Sequence, residues 1–361
     1  MDDIQYIDTA AGARKLVETL TAAPFVAIDT EFVREKTYHP LPCLLQIAVE
    51  GHIFCVDLIA LEGPDAVTGL LLDRSVTKVL HSARQDLELF YALTGEVPGP
   101  VYDTQIAAAL LGFPDQCGYG RLVHDVLDIP LEKGHARTDW SRRPLSAEQL
   151  RYAADDVRYL VPLYQTLRKR LEERGRSEWP DADFVALEDP ALYAPDPDSA
   201  WKKVKGWRQM DGPALARLQR LAAWREAVAV DRNRPRRWIL ADDALRAMAI
   251  RAPTDIEALK DLEVVPPAVL RRYAGALIER LAVSGGSAKP APEVRLNRQE
   301  TTLLGRLGKR VDQCARDSDV APSLLATRAE LKRMVCGDRN LPVLKGWRRE
   351  MVGESLLAML D

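Results

Sequence analysis

At 361 residues, 47% hydrophobic and 29% charged, the chain has room for two or three domains with cores of their own and is not a disordered composition. A net charge of −3 argues against a chain that binds nucleic acid over its whole surface, so any such surface must be local. The five cysteines (43, 55, 117, 314, 336) are odd in number, scattered and without a C-x2-C pair, which argues against a disulfide scaffold or a zinc finger. The amino-terminal MDDIQYIDTA has no apolar leader and no apolar run approaches a membrane span, so a cytoplasmic protein with reduced thiols is expected.

In chain order, the pattern predicts a helix near 9–20 and then a buried strand over Phe25–Phe32, FVAIDTEF. Side chains alternate along a strand, so Asp29 and Glu31 point to the same side. Two acids on an apolar strand need a cation, a basic partner or exit into solvent. Leu44–Val49 and Ile53–Leu58 flank Glu50, Gly51 and His52 as a hairpin, where His52 and Cys55 face opposite ways. Val79–Leu80 is a short strand feeding a helix at 83–93, which places Asp86 in its first turns, where α/β sheets bind ligands. A further short strand at Val101–Tyr102 and a helix at 104–111 follow. A helical pattern over 146–173 stacks Tyr152 and Asp156 on one face, four residues apart. Asp155 lies about 100° round that helix and is assigned a structural or salt-bridging role. The sum is an α/β fold with a mixed sheet and helices on its faces.

Beyond 180 the character changes. Trp179–Pro197 reads as a connector, and Leu215–Val230, Ala241–Ile250, Asp255–Leu262 and Pro267–Leu281 as helices. WILADDALRAMA and SLLATRAELKRMV suggest two copies of one helical module, with Leu240 set against Leu325 and the flexible SGGSAKPAPEV between the copies. Lys202–Arg237 holds eleven Lys or Arg against three acids, together with Trp201, Trp207, Trp224 and the adjacent Trp238. That stretch is either a phosphate-binding surface or a solvated helical face with Trp anchors in a core.

The D-x-E strand, the Asp of HSARQDLELF and the Y-x3-D helix resemble the three motifs of the DEDDy group of the DnaQ-like 3′-5′ exonucleases. TDWSRRPLSAEQLRYAADDVRYLVPLY is similar to the ribonuclease D family, and the helical modules resemble HRDC domains. The resemblance implies a ribonuclease-H-like exonuclease domain at 1–180 and a connector at 181–210. It further implies an HRDC domain at 211–284, a linker at 285–297 and a divergent second HRDC-type bundle at 298–361. It implies catalytic residues Asp29, Glu31, Asp86, Tyr152 and Asp156, the four acids holding two Mg²⁺ or Mn²⁺ ions roughly 4 Å apart. Oxygen donors suit such hard cations. By the same resemblance Asp29, Glu31 and Asp156 hold the ion on the nucleophile side, Asp29 bridges to the second, and Asp86 acts nearby. A phenol titrates near pKa 10 and is a poor base at neutrality, so Tyr152 is expected to orient the attacking water. Phe32 and the loop 138–143, with Trp140, Arg142 and Arg143, are expected to contact RNA.

The implied activity is 3′-5′ trimming of tRNA precursors and other small structured RNAs, releasing nucleoside 5′-monophosphates. A monomer without organic cofactor or membrane attachment is expected. The alternatives are a DNA exonuclease and a catalytically silent RNA-binding adaptor.

Overall fold

The computed structural model describes residues 4–20, 22–63, 65–131, 138–210, 212–283 and 296–360. The expected SGGSAKPAPEV linker lies outside the described residues. Among those described, the residues of Met1–Val33, Pro42–Tyr193 and Val294–Asp361 gather into one compact unit, and those of Arg34–Leu41 and Ala194–Glu293 into a second.

The first unit is built on six strands: β1 (Ile4–Ile7), β2 (Phe25–Val33), β3 (Leu41–Val49), β4 (His52–Asp57), β5 (Thr77–Leu80) and β6 (Val101–Asp103). Their order in the sheet is β1-β4-β3-β2-β5-β6, which sets the D-x-E strand β2 in the interior between β3 and β5. β1 lies parallel to β4, β3 antiparallel to β4, and β2, β5 and β6 parallel to one another, so the sheet is mixed as expected. The edge strand β1 had no signal of its own in the sequence. The first unit's helices up to residue 187 are α1 (Ala10–Leu20), α2 (Asp65–Leu72), α3 (Arg84–Thr94), α4 (Thr104–Ala109), α5 (Tyr119–Leu127), α6 (Ala147–Arg158), α7 (Leu160–Glu173) and α8 (Asp181–Leu187). Val26, Ile28, Leu45 and Ile47 pack with Leu16, Leu70, Leu87 and Phe90 of α1–α3 on one face. Ala27, Ala48 and Val79 pack with residues of α4–α7 on the other.

The single helix expected at 146–173 is two. In an unbroken helix Pro162 would have to donate an N–H to Arg158 and has none; placed in the first turn of α7, it leaves no bond unmade. The expected connector also contains α8, so it is not irregular throughout.

The second unit holds α9 (Gly212–Asp231), α10 (Arg236–Ile239), α11 (Asp242–Arg251), α12 (Ile256–Lys260) and α13 (Pro267–Ala282). Its core is Leu218, Leu221, Trp224, Leu245, Met248, Leu259 and Leu277 with their neighbours. The segment following β2 belongs to it: Asn233 Oδ1 accepts the N–H groups of Tyr38 and His39, each at 3.0 Å, and Tyr38 donates its hydroxyl to Glu226 Oε1.

The carboxyl-terminal segment comprises α14 (Arg298–Ser318), α15 (Pro322–Leu325), α16 (Arg328–Val335) and short turns to Leu357, and it repeats the order of α9–α11. Gly212 and Arg298 open their helices, and the extended caps Leu240 (φ −163°, ψ 136°) and Ala326 (φ −158°, ψ 135°) close α10 and α15, an offset of 86 residues in both cases. Buried Leu218, Leu221, Leu245 and Met248 thereby fall on buried Leu304, Leu307, Leu331 and Met334. The expected register, Leu240 on Leu325, is one residue off, because a leucine match was followed where the cap geometry decides.

Unlike α9–α13, the carboxyl-terminal helices have no separate core; Leu304, Leu307, Leu331 and Met334 share one with Ala107, Leu111 and Leu167 of the sheet-bearing unit. The seam is closed by a clasp at Asp319. Arg174 donates to its carboxylate at 2.8 Å, Arg176 bridges Leu110 O at 2.7 Å and Ser318 O, and Ala321 N donates to Ala109 O at 2.9 Å. Trp179 and Trp347 stack at 4.4 Å and 3°. Gly112 sits at φ 90°, a conformation strained for any other residue, and a Cβ there would stand 2.0 Å from Asp319 Oδ1 and displace that carboxylate from Arg174. Gly112→Ala is therefore expected to destabilise the first unit by about 2 kcal/mol, the scale of a strained left-handed residue. Urea unfolding checks this, and a variant as stable as wild type would remove Gly112 from the seam.

Candidate active site

β2 sends Val26 and Ile28 into one core and Ala27 into the other; the same alternation carries Asp29 and Glu31 to the Ala27 side. α6 is fixed opposite by a reciprocal capping box between Ser146 and Gln149 and by fully buried Ala153, Ala154 and Val157. The result is a three-carboxylate cluster: oxygens of Asp29, Glu31 and Asp156 all lie within 4.8 Å of one another. Asp86 stands on the first turn of α3, buried, and accepts the hydroxyl of Thr30, the residue between the two strand acids. It lies outside the three-oxygen cluster but close enough to disfavour ionisation of Asp29 and Glu31.

The electrostatics record that crowding. Removal from water, followed by the charges of Asp86, Asp156 and Glu31, holds the Asp29 carboxyl well above the usual range. Glu31 is pushed up to about 8 by burial and then by Asp156 and Asp86. Burial chiefly raises Asp86 to about 7, and burial with neighbouring Asp155 raises Asp156 to about 7. The Tyr152 phenol is raised above its ordinary value by burial and by Asp156, Glu31 and Asp29, so it keeps its proton. Carboxylates gathered in this way, with oxygen the sole donor type, fit a hard divalent cation, whose charge would offset their mutual repulsion. Asp155 accepts Arg158 Nε at 2.9 Å through its carboxylate and the Tyr119 hydroxyl through its backbone carbonyl, a structural use.

Several supporting residues escaped the sequence reading. Asp103 accepts the N–H groups of Ser82 and Ala83, fixing the approach to α3 and hence Asp86, while also capping α4 through Gln105 N. Its signal was the N-cap pattern D-T-Q before a helix. Thr30 had none beyond its place between the acids.

The expected RNA contacts divide. Phe32 is half-buried at the end of β2, and Arg142 is exposed beside Asp139 at 3.0 Å. Trp140 and Arg143 require correction. Trp140 is 2% exposed and packs among Cys43, Leu44, Cys55 and Ala153, so no ring face is open to a base. Arg143 grips Asp57 with two nitrogens, at 2.5 and 2.7 Å, and donates to the carbonyls of Cys43 and Trp140. Its guanidinium ties the 138–143 loop to the end of β4, which leaves it unsuited to phosphate.

The class follows from fold and site together: this is a 3′-5′ exonuclease with an HRDC domain. The 3′-5′ exonuclease family model matches residues 4–172 and the HRDC domain model residues 214–281. Ribonuclease D of Gluconacetobacter diazotrophicus is 39% identical across 98% of this chain and 92% of its own length, and that of Pseudomonas paraeruginosa 36% across 99% and 98%. The crystal structure of Escherichia coli RNase D superposes with a TM-score of 0.85 at 29% identity, covering 100% of this chain and 99% of that one. The chain belongs to the ribonuclease D family, and is a 3′-5′ exoribonuclease whose family membership implies a divalent metal at the acidic cluster.

Acids raised by the fold are stable protonated and destabilising once ionised. Without metal, stability should therefore fall as pH rises from the unfolded carboxylate range near 4.5 to about 8, where Glu31 titrates. Glu31→Gln should flatten that fall in EDTA and raise Tm at pH 8, while losing the Tm gain that wild type shows on adding Mg²⁺ or Mn²⁺. Thermal melts across pH check both signs; a wild type that gains stability between pH 5 and 8 in EDTA would contradict them.

Proposed function

We propose that the protein trims the 3′ ends of tRNA precursors and other small structured RNAs, releasing nucleoside 5′-monophosphates. The observation that carries the reading is the convergence of Asp29, Glu31 and Asp156 within 4.8 Å beneath the Tyr152 helix. The Escherichia coli relative, described as an exoribonuclease involved in structured RNA processing, supports the substrate class.

In this reading Asp29, Glu31, Asp86 and Asp156 hold two Mg²⁺ or Mn²⁺ ions. When bound, these would supply acidity to the attacking water and stabilise the departing 3′ oxygen. Tyr152, kept protonated by burial and by the surrounding carboxylates, uses its hydroxyl to orient the water and takes no proton. Thr30 and Asp103 hold Asp86 in place. Phe32 and Arg142 border the terminal nucleotides. The carboxyl-terminal helices are a divergent second copy of the HRDC module, read from the 86-residue offset. Among the described residues no helix is long and apolar enough to cross a membrane; a monomer working in the cytoplasm is part of the same proposal.

The test is digestion of a 3′-extended tRNA and of single-stranded DNA with Mg²⁺ or Mn²⁺. Wild type should shorten the RNA preferentially, and Asp29→Asn should abolish shortening. Tyr152→Phe should slow it about a hundredfold with RNA binding intact, the lower range for a positioned proton-handling group. Preferential loss of DNA would favour the DNA exonuclease, binding without shortening the silent adaptor, and a fully active Phe variant would remove Tyr152 from the mechanism.

A further inference from the structure

The four tryptophans of the basic stretch have different fates. Trp201 and Trp224 are buried in the second unit's core, and Trp207 packs edge-on against Trp201 at 4.7 Å. Trp238 alone of the four faces solvent, at 58% exposure. The arginines divide in the same way. Arg225 pairs inside with Asp242, Arg236 grips buried Glu226, and Arg217 donates to the Ala249 carbonyl. Arg234 and Arg237 stay exposed on the turn and short helix that carry Trp238, Arg232 beside them pairs with Asp231 at 3.3 Å, and the Arg234 guanidinium stands over the Trp238 ring at 5.9 Å.

The internal repeat adds an independent observation. The 86-residue offset sets Trp238 on Leu324, and Leu324 packs against the first unit's core. In the carboxyl-terminal copy this apolar position is partly covered by protein. In the other copy it has become a larger aromatic residue left in water with the Arg234 guanidinium over its ring, although burial of a Trp is strongly favourable.

We propose that Trp238, with Arg234 and Arg237, is a stacking site for an unpaired base of the RNA substrate. A single open ring suits one base face, and the flanking guanidiniums suit the phosphates on either side. The exposed residues beside it in the chain, Arg234 and Arg237, are cations, whereas the core of a protein interface is depleted in charge. The proposal rests on the structured-RNA reading above, and assigns the HRDC module a holding task separate from cleavage.

The full-length enzyme tests it with two substrates, a 3′-extended structured RNA and a tetraribonucleotide. Trp238→Ala should raise KM for the structured RNA about tenfold, within the range for loss of one base–aromatic stack, with kcat unchanged. The tetranucleotide should be cleaved as before, and Trp238→Phe should restore most of the loss. Arg234→Ala combined with Arg237→Ala should make binding of the structured RNA less salt-dependent, lowering the log–log slope by about 1.4, the value for two single-strand phosphate contacts. Binding titrated in EDTA reads the site without cleavage, so failure of the structured-RNA reading would appear as cleavage lost with Trp238-dependent binding retained. A KM within twofold of wild type for Trp238→Ala would overturn the proposal, as would an equal loss on both substrates.

Discussion

Everything in the sheet-bearing unit answers to one constraint: four carboxyl groups must be kept close together and away from bulk water. Such a cluster resists folding once ionised, because burial above all raises the acid range of Glu31, Asp86 and Asp156. It is imposed by packing that has nothing to do with charge. β2 is clamped between two strands, and small Ala27, Ala153 and Ala154 let α6 approach the sheet closely enough for Asp156 to meet Asp29 and Glu31. The core acts as the vice, and the acids are what it holds.

The same logic explains why so much of the surrounding polar chemistry is structural. Asp103 fixes two N–H groups ahead of α3 and a third at α4, so one side chain sets the position of Asp86 from behind. Arg143 and Asp57 pin the loop that precedes α6, and the Tyr6 hydroxyl donates to the same Asp57 carboxylate. A residue type associated with substrate, the arginine, thus serves the frame.

Legibility from sequence followed the range of the interactions. Asp29 with Glu31, and Tyr152 with Asp156, rest on spacings of two and four residues, and local periodicity revealed both. The α6–α7 break was hidden because apolar residues continue across Tyr159, although Pro162 marked it. Arg143 was misread because its partner Asp57 lies 86 residues away, where no local pattern reaches. Strand β1, four residues at a sheet edge, is too short to carry a period, and its place depends on pairing with β4. The repeat was visible while its register was not, because single leucines are weak markers compared with a pair of extended caps.

The path of the chain has a consequence for how the enzyme is made. The core shared by the sheet and α14–α16 takes in residues as late as Leu356, whereas the second unit's segments end at Glu293. A ribosome therefore releases a complete HRDC bundle well before the nuclease can finish its own interior. Until the last residues emerge, the core that α4 and α7 share with α14–α16 is open on one side, and a prematurely terminated chain would lack that part of it.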